Sequence, residues 1–238
     1  MLSIVAATAS SFAIAPAFDR SEGYPLPALP NGERLRLFTD CWERAGTGGT
    51  VWTSALVLCR WQVREAESIQ DKSILELGSG TGAAGLQAAG LGAQSVCLSD
   101  GGPEELLELL RRNIVHNRHR LPSSTVVEVA KLRWGCDEPP AAVYDLVLGA
   151  DVSYQEEGRE ALCSTLSQVL GRSGEASRAV LAHEHRANAG SLEAFIEAAS
   201  ACGLSCTTLH REEGMVDDPL EARAYAYQVS IVEVRIAA

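Results

Sequence analysis

The chain has 238 residues, 46% of them hydrophobic, a length and composition that fit one globular α/β domain and exclude disordered and fibrous classes. Its 20 basic and 31 acidic residues give a formal net charge of −11, which opposes binding to the phosphate backbone of nucleic acids. The acidity suits a basic substrate, although solubility alone also explains it.

The N-terminus leaves the location of the protein open. Residues 1–18 are apolar and uncharged, with "AIA" as a candidate cleavage site, but they lack the positively charged start of a signal peptide. They are also too weakly hydrophobic for a membrane span, so we expect no membrane association. Residues 1–29 are therefore an organelle presequence or a loose terminus. The seven cysteines, none in a C-x-x-C pair, argue against disulfides and a zinc site and favour a reducing compartment, the cytoplasm.

A hairpin and a helix are predicted next. The stretch "GERLRLFTD" alternates apolar and polar residues as an edge strand does, and "GTGGT" then interrupts the chain. The following "WTSALVLCRWQVREAES" has the apolar spacing of a helix.

Strands and helices alternate in the rest of the chain. The strands are "SILELG", "SVCLSD", "TVVEVAKL", "VYDLVLGAD", "RAVLAHE" and "AYAYQVSIVEVRI", separated by helical stretches. This order predicts a Rossmann-like α/β fold, with a mostly parallel sheet covered by helices on both faces. The acidic segment "HREEGMVDDPLEARAY" is predicted to be a solvated hairpin loop, with a meeting surface for a basic protein segment as the alternative.

The turn "ELGSGTGAAG" after the first long strand is typical of a nucleotide-containing ligand. Gly78, Gly80 and Gly82, headed by Glu76, form an acidic-x-G-x-G-x-G pattern that points to a methyl donor. Gly80, Gly82 and Gly85 form G-x-G-x-x-G, the dinucleotide fingerprint. Both ligands need glycines that let the backbone approach closely, so the glycines alone do not decide.

The acid at position 76 favours the methyl donor. A carboxylate there would repel a pyrophosphate by about 1 to 4 kcal/mol at roughly 4 Å. S-adenosylmethionine has no phosphate, and its methionine end carries an ammonium and a sulfonium. Asp100 ends the next strand, where its carboxylate can accept hydrogen bonds from both ribose hydroxyls. That contact is shared with NAD, and a helix cap is the structural alternative for Asp100.

With these motifs, the chain resembles the seven-β-strand S-adenosylmethionine-dependent methyltransferases, and within them methyltransferase family 16, largely protein-lysine N-methyltransferases. Beyond "ELGSGTG", the likeness includes "GGTVW", "SD" followed by "LLRRNIVHN", "LRWG", and "GADVSY", which matches the family's D-x-x-Y motif. The likeness runs from about residue 30 to the C-terminus, so residues 30–238 are expected to form the methyltransferase domain. It implies a seven-stranded sheet whose last strand is antiparallel.

The resemblance also implies roles for individual residues. Trp134 would lie along the adenine ring, Trp52 would close the cofactor pocket, and Ala150 would contribute to that pocket. Asp151 and Tyr154 would face the transferred methyl group and the substrate nitrogen as catalytic residues. Structural alternatives remain open: a core anchor for Trp134, a hydrophobic staple for Trp52, a helix cap for Asp151 and a packing aromatic for Tyr154.

The expected activity is methyl transfer from S-adenosylmethionine to a protein side-chain nitrogen, with lysine as the expected acceptor. The alternatives are an N-methyltransferase for a small molecule or another side chain, a nicotinamide-dependent oxidoreductase, and a catalytically silent scaffold. We expect a monomer with no metal ion, although "LAHEHRA" leaves the roles of His183, His185 and Arg186 open.

Overall fold

A computed structural model describes residues 23–140, 142–186, 190–218 and 223–237. The apolar segment at residues 1–18, with its candidate cleavage site, lies outside the described residues. The strands are β1 (Tyr24–Pro25), β2 (Arg36–Leu37), β3 (Ser73–Leu77), β4 (Ser95–Asp100), β5 (Val126–Lys131), β6 (Leu146–Ala150), β7 (Arg178–Glu184), β8 (Leu204–Asp218) and β9 (Arg223–Ile236). The α-helices are α1 (Trp42–Ala45), α2 (Thr53–Arg64), α3 (Ala83–Gly90), α4 (Glu104–Asn117), α5 (Glu156–Ser173) and α6 (Leu192–Ala201).

The main sheet has seven strands in the order β5-β4-β3-β6-β7-β9-β8. Strands β3 to β7 pair with one another in parallel, whereas β9 is antiparallel to both β7 and β8. The predicted Rossmann-like fold with an antiparallel last strand is therefore confirmed. The chain order reverses between β3 and β6, and in open α/β sheets ligands bind outside the carboxyl ends of the strands at such a point.

Each central strand sends alternate side chains into two apolar layers. In β3, Ile74 packs into the layer formed with α2 and α3, whereas Leu75 and Leu77 pack into the layer beneath α5 and α6. In β6, Leu148 and Val147 divide in the same way. Because both faces are covered, these strands are mostly apolar, as the sequence indicated, and Glu76 of β3 is a buried exception.

The predicted N-terminal hairpin is present but small. The strands β1 and β2 pair over two residues each and form a separate two-stranded sheet, so "GERLRLFTD" is not an edge strand of the main sheet. Asn113 and Asn117 of α4 hold this segment by hydrogen bonds to the backbone of Phe38 and Arg36, which replaces longer strand pairing. Buried packing extends into residues 23–29, which the sequence had assigned to the N-terminal segment, because Leu26 is fully buried.

The acidic segment after α6 lies in a hairpin, but its described residues are strand and not loop, because residues 210–218 belong to β8 and residues 223–225 to β9. The strand β8 continues to Asp218 and pairs with β9 along almost its whole length. An edge strand tolerates charged side chains because it is less covered than a central strand. The carboxylate of Glu212 is also paired with Arg60 of α2. Since β9 pairs with β7 only from Val229 onward, this hairpin extends beyond the carboxyl edge of the sheet.

The described part of the chain has neither a membrane-spanning helix nor a cluster of metal-binding side chains. None of its helices combines the length and the apolar character that crossing a bilayer requires. It also contains no group of three or more histidine, cysteine or acidic side chains placed to hold a metal ion. All seven cysteines are free thiols, and Cys59 and Cys97 are buried.

Candidate active site

A cavity of about 380 Å³ opens at the carboxyl ends of β3, β4 and β6. Its volume lies in the range of small-molecule sites. Nine of the ten residues that the sequence assigned to a site line it: Trp52, Glu76, Gly78, Gly80, Asp100, Trp134, Ala150, Asp151 and Tyr154. The tenth, Gly82, is not a lining residue, although its neighbours Thr81 and Ala83 are. The fold therefore gathers residues from positions 52 to 154 around one space.

The glycine turn connects β3 to α3 in a conformation that side chains disfavour. Gly78, Gly80 and Gly82 all have positive φ angles, of 62°, 52° and 85°. At Gly80 an added Cβ would lie 2.9 Å from the carbonyl oxygen of Gly48, so two glycine-rich segments approach each other across the cavity wall. The backbone of this turn therefore requires glycine at the three positions of the first pattern, Gly78, Gly80 and Gly82.

The second pattern has a packing explanation. Gly85 lies inside α3, where an added Cβ would be 2.2 Å from the Leu98 side chain and 2.7 Å from Oε2 of Glu76. Gly85 thus makes room for the acidic residue of the first pattern. Gly85 is therefore required in this chain for a reason unrelated to a pyrophosphate.

Glu76 is a buried acid near the end of β3, with 2% of its surface exposed. Burial raises the pKa of Glu76 to about 8, and hydrogen bonds from Gly85, Ser79 and Ala84 counter this only in part. Among the described residues, its Oε2 atom has no hydrogen-bond partner. A hydrogen-bond donor or a cation reaching this carboxyl group would therefore be stabilised.

Asp100 connects the end of β4 to the glycine turn. Its Oδ2 accepts a hydrogen bond from the Gly80 amide at 2.9 Å, and its Oδ1 accepts one from the Gly102 amide at 2.8 Å. The N-cap of the next helix is Pro103, so Asp100 is not the helix cap considered as its alternative role. Each carboxylate oxygen keeps a second lone pair for a ligand hydroxyl.

Two tryptophans lie against the cavity from different elements. Trp134 follows β5 and lies 3.1 Å from the position of a Cβ on Gly78, and its buried Nε1 has no partner in the described chain. Trp52 precedes α2, and its Nε1 donates to the carbonyl oxygen of Thr47 at 3.0 Å. It occupies the N-cap position itself, so it is not a staple residue one position earlier.

Asp151 follows β6 directly and has an unusual backbone. Its φ is +56°, a left-handed conformation that a non-glycine residue adopts at a cost of about 1 to 2 kcal/mol. The next helix is capped by Gln155, so Asp151 is not its N-cap. Burial raises the pKa of Asp151, and the guanidinium of Arg186 counters this effect. Strain and burial at one acidic residue beside a cavity are features of functional sites.

Arg186 and Glu184 belong to the site and were not predicted from the sequence. Nη2 of Arg186 donates to Oδ2 of Asp151 at 2.8 Å and to Oε2 of Glu184 at 2.7 Å. The guanidinium also lies 5.2 Å from the ring centroid of Trp52 and 5.9 Å from that of Tyr154. The only sequence signal was an acidic and a basic residue two apart at the end of a buried strand.

Tyr154 and His183 complete the surroundings of Asp151. The Tyr154 hydroxyl accepts a hydrogen bond from Nε2 of Gln155 at 2.8 Å. His183 is buried on the other face of β7, where its Nδ1 lies 2.8 Å from the Ser153 hydroxyl. Burial lowers the pKa of His183 to about 4, so its imidazole is neutral at pH 7. His185 lies 2.8 Å from the Ser230 hydroxyl, and neither histidine lines the cavity.

The cavity residues fit S-adenosylmethionine by their chemistry. Gly48 and Gly80 lie close together and have no side chains that would keep a ligand away from the backbone. Asp100 provides acceptors for hydroxyl groups. Trp134 provides an aromatic ring beside the glycine turn, and its Nε1 is a donor without a partner in the described chain. Glu76 and Asp151 provide acceptors for cationic groups.

Comparison with known proteins identifies relatives in sequence. A family model described as "Lysine methyltransferase" matches residues 31–201. The protein N-lysine methyltransferase METTL21A of Danio rerio is 41% identical over 138 residues, which are 57% of this chain and 61% of that protein. EEF1A lysine methyltransferase 3 of Mus musculus is 33% identical over 144 residues, 60% of each chain. The matched part thus spans about three fifths of the length of these relatives.

Solved structures show the same fold at low sequence identity. A putative RNA methyltransferase, PH1948 from Pyrococcus horikoshii, superposes with a TM-score of 0.57 at 18% identity, covering 86% of this chain and 93% of that chain. The YcgJ protein of Bacillus subtilis gives a TM-score of 0.61 at 11% identity, covering 76% and 99%. Because the family model covers more than half of the chain, this protein belongs to the lysine methyltransferase family.

Proposed function

We propose that the protein transfers a methyl group from S-adenosylmethionine to a side-chain nitrogen of another protein, with lysine as the acceptor. The observation that carries the proposal is the single cavity that joins the glycine turn and Asp100 to Asp151 and Tyr154. One end is suited to a nucleoside, and the other presents a buried carboxylate beside an aromatic hydroxyl.

The nucleoside end is formed by β3, β4 and the segment after β5. In this proposal Asp100 binds the ribose hydroxyls while its amide contacts hold Gly80 in place. The indole of Trp134 contacts the adenine, an interaction that contributes about 1 to 3 kcal/mol when an aromatic stacks on a base. Glu76 lies where it can bind the ammonium of the methionine part. Ala150, a small residue at the end of β6, leaves room for the donor.

The reacting end is formed by Asp151, Tyr154 and Trp52. The bound donor would supply a methyl group on a sulfonium. The acceptor ammonium first loses a proton to water, and the free amine then attacks the methyl carbon in line while the sulfur leaves as a neutral thioether. Asp151 accepts a hydrogen bond from the acceptor amine and fixes its direction, and the Tyr154 hydroxyl limits where the amine can lie. Trp52 covers this end and separates it from solvent. Alignment of this kind accounts for most of the acceleration in a displacement that needs no covalent chemistry from the protein.

Two observations favour lysine as the acceptor: the charge of the reacting end and the names of similar proteins. The reacting end holds two buried carboxylates and one guanidinium, so it suits an acceptor that arrives as a cation. The relatives METTL21A and EEF1A lysine methyltransferase 3 are named for lysine methylation. We also propose, from the sequence, that the protein is a cytoplasmic monomer that does not bind nucleic acid. The alternative location is an organelle, reached through residues 1–18.

Donor binding is tested by calorimetry with S-adenosylhomocysteine and NAD side by side. We expect micromolar binding of S-adenosylhomocysteine and none of NAD. A ligand at 100 times its Kd should also raise the free energy of unfolding by about 2.7 kcal/mol. Binding of NAD in preference to S-adenosylhomocysteine would overturn the proposal.

The acceptor is tested with a tritiated methyl donor and a protein extract, followed by hydrolysis and amino-acid analysis. Label in methylated lysine supports the proposal. Label in another side chain, or only in small molecules that pass a dialysis membrane, would contradict the lysine assignment and leave donor binding intact.

A further inference from the structure

The side chains around Arg186 form a buried group with one excess negative charge. Asp151 and Glu184 both accept a hydrogen bond from the same guanidinium nitrogen, and both are at least nine-tenths buried. If both acids are ionised, two negative charges face one positive charge. Two carboxylates this close would share a proton without the arginine, because like charges disfavour joint ionisation.

Arg186 is also held in place from the side of the cavity. Its guanidinium lies near the faces of Trp52 and Tyr154, both of which line the cavity. Its nitrogen contacts Oδ2 of Asp151, whereas Oδ1 has no partner in the described residues. The arginine thus occupies one oxygen of the carboxylate and leaves the other for a donor N–H group.

We propose that Arg186 is a positioning residue that keeps Asp151 ionised and oriented, with Glu184 as the acid that anchors the arginine. The inference rests on the proposed function in one respect, namely that Asp151 receives the acceptor amine. The group then carries a single net negative charge, which matches one lysine ammonium. An acceptor that arrives as a cation gains more from that charge than a neutral one.

The charged groups around this cluster all enter the expected titration. Burial raises the pKa of Asp151 and of Glu184, and Arg186 lowers both, while Asp151 raises that of Glu184. His183 lies across β7 and is neutral at pH 7, although it too senses the charge of Arg186. Tyr154 faces the guanidinium from the loop after β6.

The first experiment follows the carboxyl carbons of 13C-labelled aspartate and glutamate by NMR in the ligand-free protein, with Asp151→Asn and Glu184→Gln for assignment. Arg186→Met should raise the pKa of Asp151 by about 1 to 3. Arg186→Lys should keep it close to the wild-type value because the charge is retained. The NMR titration is carried out without an acceptor. A pH profile of the methyl-transfer rate would also contain the ionisation of the acceptor amine.

A double variant separates charge from packing. Glu184→Gln combined with Arg186→Met removes one negative and one positive charge, so the pKa of Asp151 should fall between those of the wild type and Arg186→Met. The matched control is Arg178→Met at the start of β7, since Arg178 is as exposed as Arg186 and pairs with Glu233 at 2.8 Å. It should cost comparable stability and leave the titration of Asp151 unchanged.

The second experiment measures methyl transfer to the extract at saturating donor. Arg186→Met should lower the rate at pH 7 at least about tenfold with donor affinity kept, and the double variant should recover part of it. An unchanged pKa of Asp151 in Arg186→Met, or a double variant no different from the single one, would overturn the proposal. If Arg186→Met does not fold, the pKa of Asp151 is compared in Arg186→Lys and in Glu184→Gln combined with Arg186→Met, and equal values in these two variants would overturn the proposal. If the wild type does not bind S-adenosylhomocysteine, the proposed function is wrong. The titrations of Asp151 are unaffected by that result because they are measured in the ligand-free protein.

Discussion

Replacing Glu76 by glutamine keeps the shape of the side chain and removes its ability to ionise. In the folded protein, burial raises the pKa of Glu76 from 4.5 to about 8. The folded state therefore holds a proton on this residue at pH values where the unfolded chain has lost it. Between these two pKa values the stability of the wild type must fall as the pH rises.

The size of the effect follows from the width of this window. One proton bound by the folded state alone changes the free energy of unfolding by about 1.4 kcal/mol per pH unit. From pH 4.5 to pH 8 the loss reaches on the order of 4 kcal/mol. Glu76→Gln lacks this contribution, so it should be little different from the wild type near pH 5 and more stable than it above pH 8.

The measurement is urea unfolding of both proteins at several pH values from 5 to 9, without ligand. The difference in unfolding free energy, variant minus wild type, should rise through this range and level off above about pH 8. The conservative control is Glu128→Gln on β5, an acid outside the cavity. A difference that stays flat with pH would refute the reasoning, because it would mean that Glu76 is ionised in the folded protein at neutral pH.

Three substitutions in the cavity test separate roles. Gly80→Ala puts a Cβ 2.9 Å from the carbonyl oxygen of Gly48 at a φ of +52°, so we expect S-adenosylhomocysteine binding to be lost in calorimetry at a folding cost of about 1 to 2 kcal/mol. Asp100→Asn replaces one of two acceptor oxygens by a donor and should weaken that binding by about 1.5 to 3 kcal/mol; an unchanged Kd would contradict the ribose assignment. Asp151→Asn should leave the Kd within about twofold and slow labelling of the extract by tens to hundreds of fold. Undiminished labelling would show that the acceptor is held by something else.

The fold was predictable because the central strands are buried on both faces. The run "LVLGA" is apolar along its whole length and "SILEL" is apolar except for Ser73 and Glu76, a pattern typical of strands in a covered parallel sheet. The acidic part of β8 was not predictable in the same way. Its strand conformation is imposed by pairing with β9 and by the contact of Glu212 with Arg60, neither of which leaves a local signal in the sequence.

Some residues of the candidate site could be predicted from the sequence and others could not, for the same reason. Asp100, which ends β4, and Asp151, which directly follows β6, could be placed because parallel strands bring their carboxyl ends to one edge. Arg186 could not be assigned, since its partners Asp151 and Glu184 come from different strands and only the register of β6 against β7 joins them. Gly85 was read as part of a ligand motif, whereas its role is to make room for Glu76.

The raised pKa of Glu76 changes how the site would choose between ligands. From the sequence, the charge on this acid was expected to repel a pyrophosphate, but a carboxyl group that keeps its proton up to about pH 8 carries little charge at pH 7. An ammonium group placed beside it would lower its pKa, so in the proposed arrangement donor binding at pH 7 releases a proton and weakens as the pH falls. A pyrophosphate would have the opposite influence and keep the proton in place. The preference for a cationic ligand therefore lies in the ability of Glu76 to become charged when a cation arrives, and proton release during S-adenosylhomocysteine binding, measured by calorimetry in buffers of different ionisation enthalpy, is its signature.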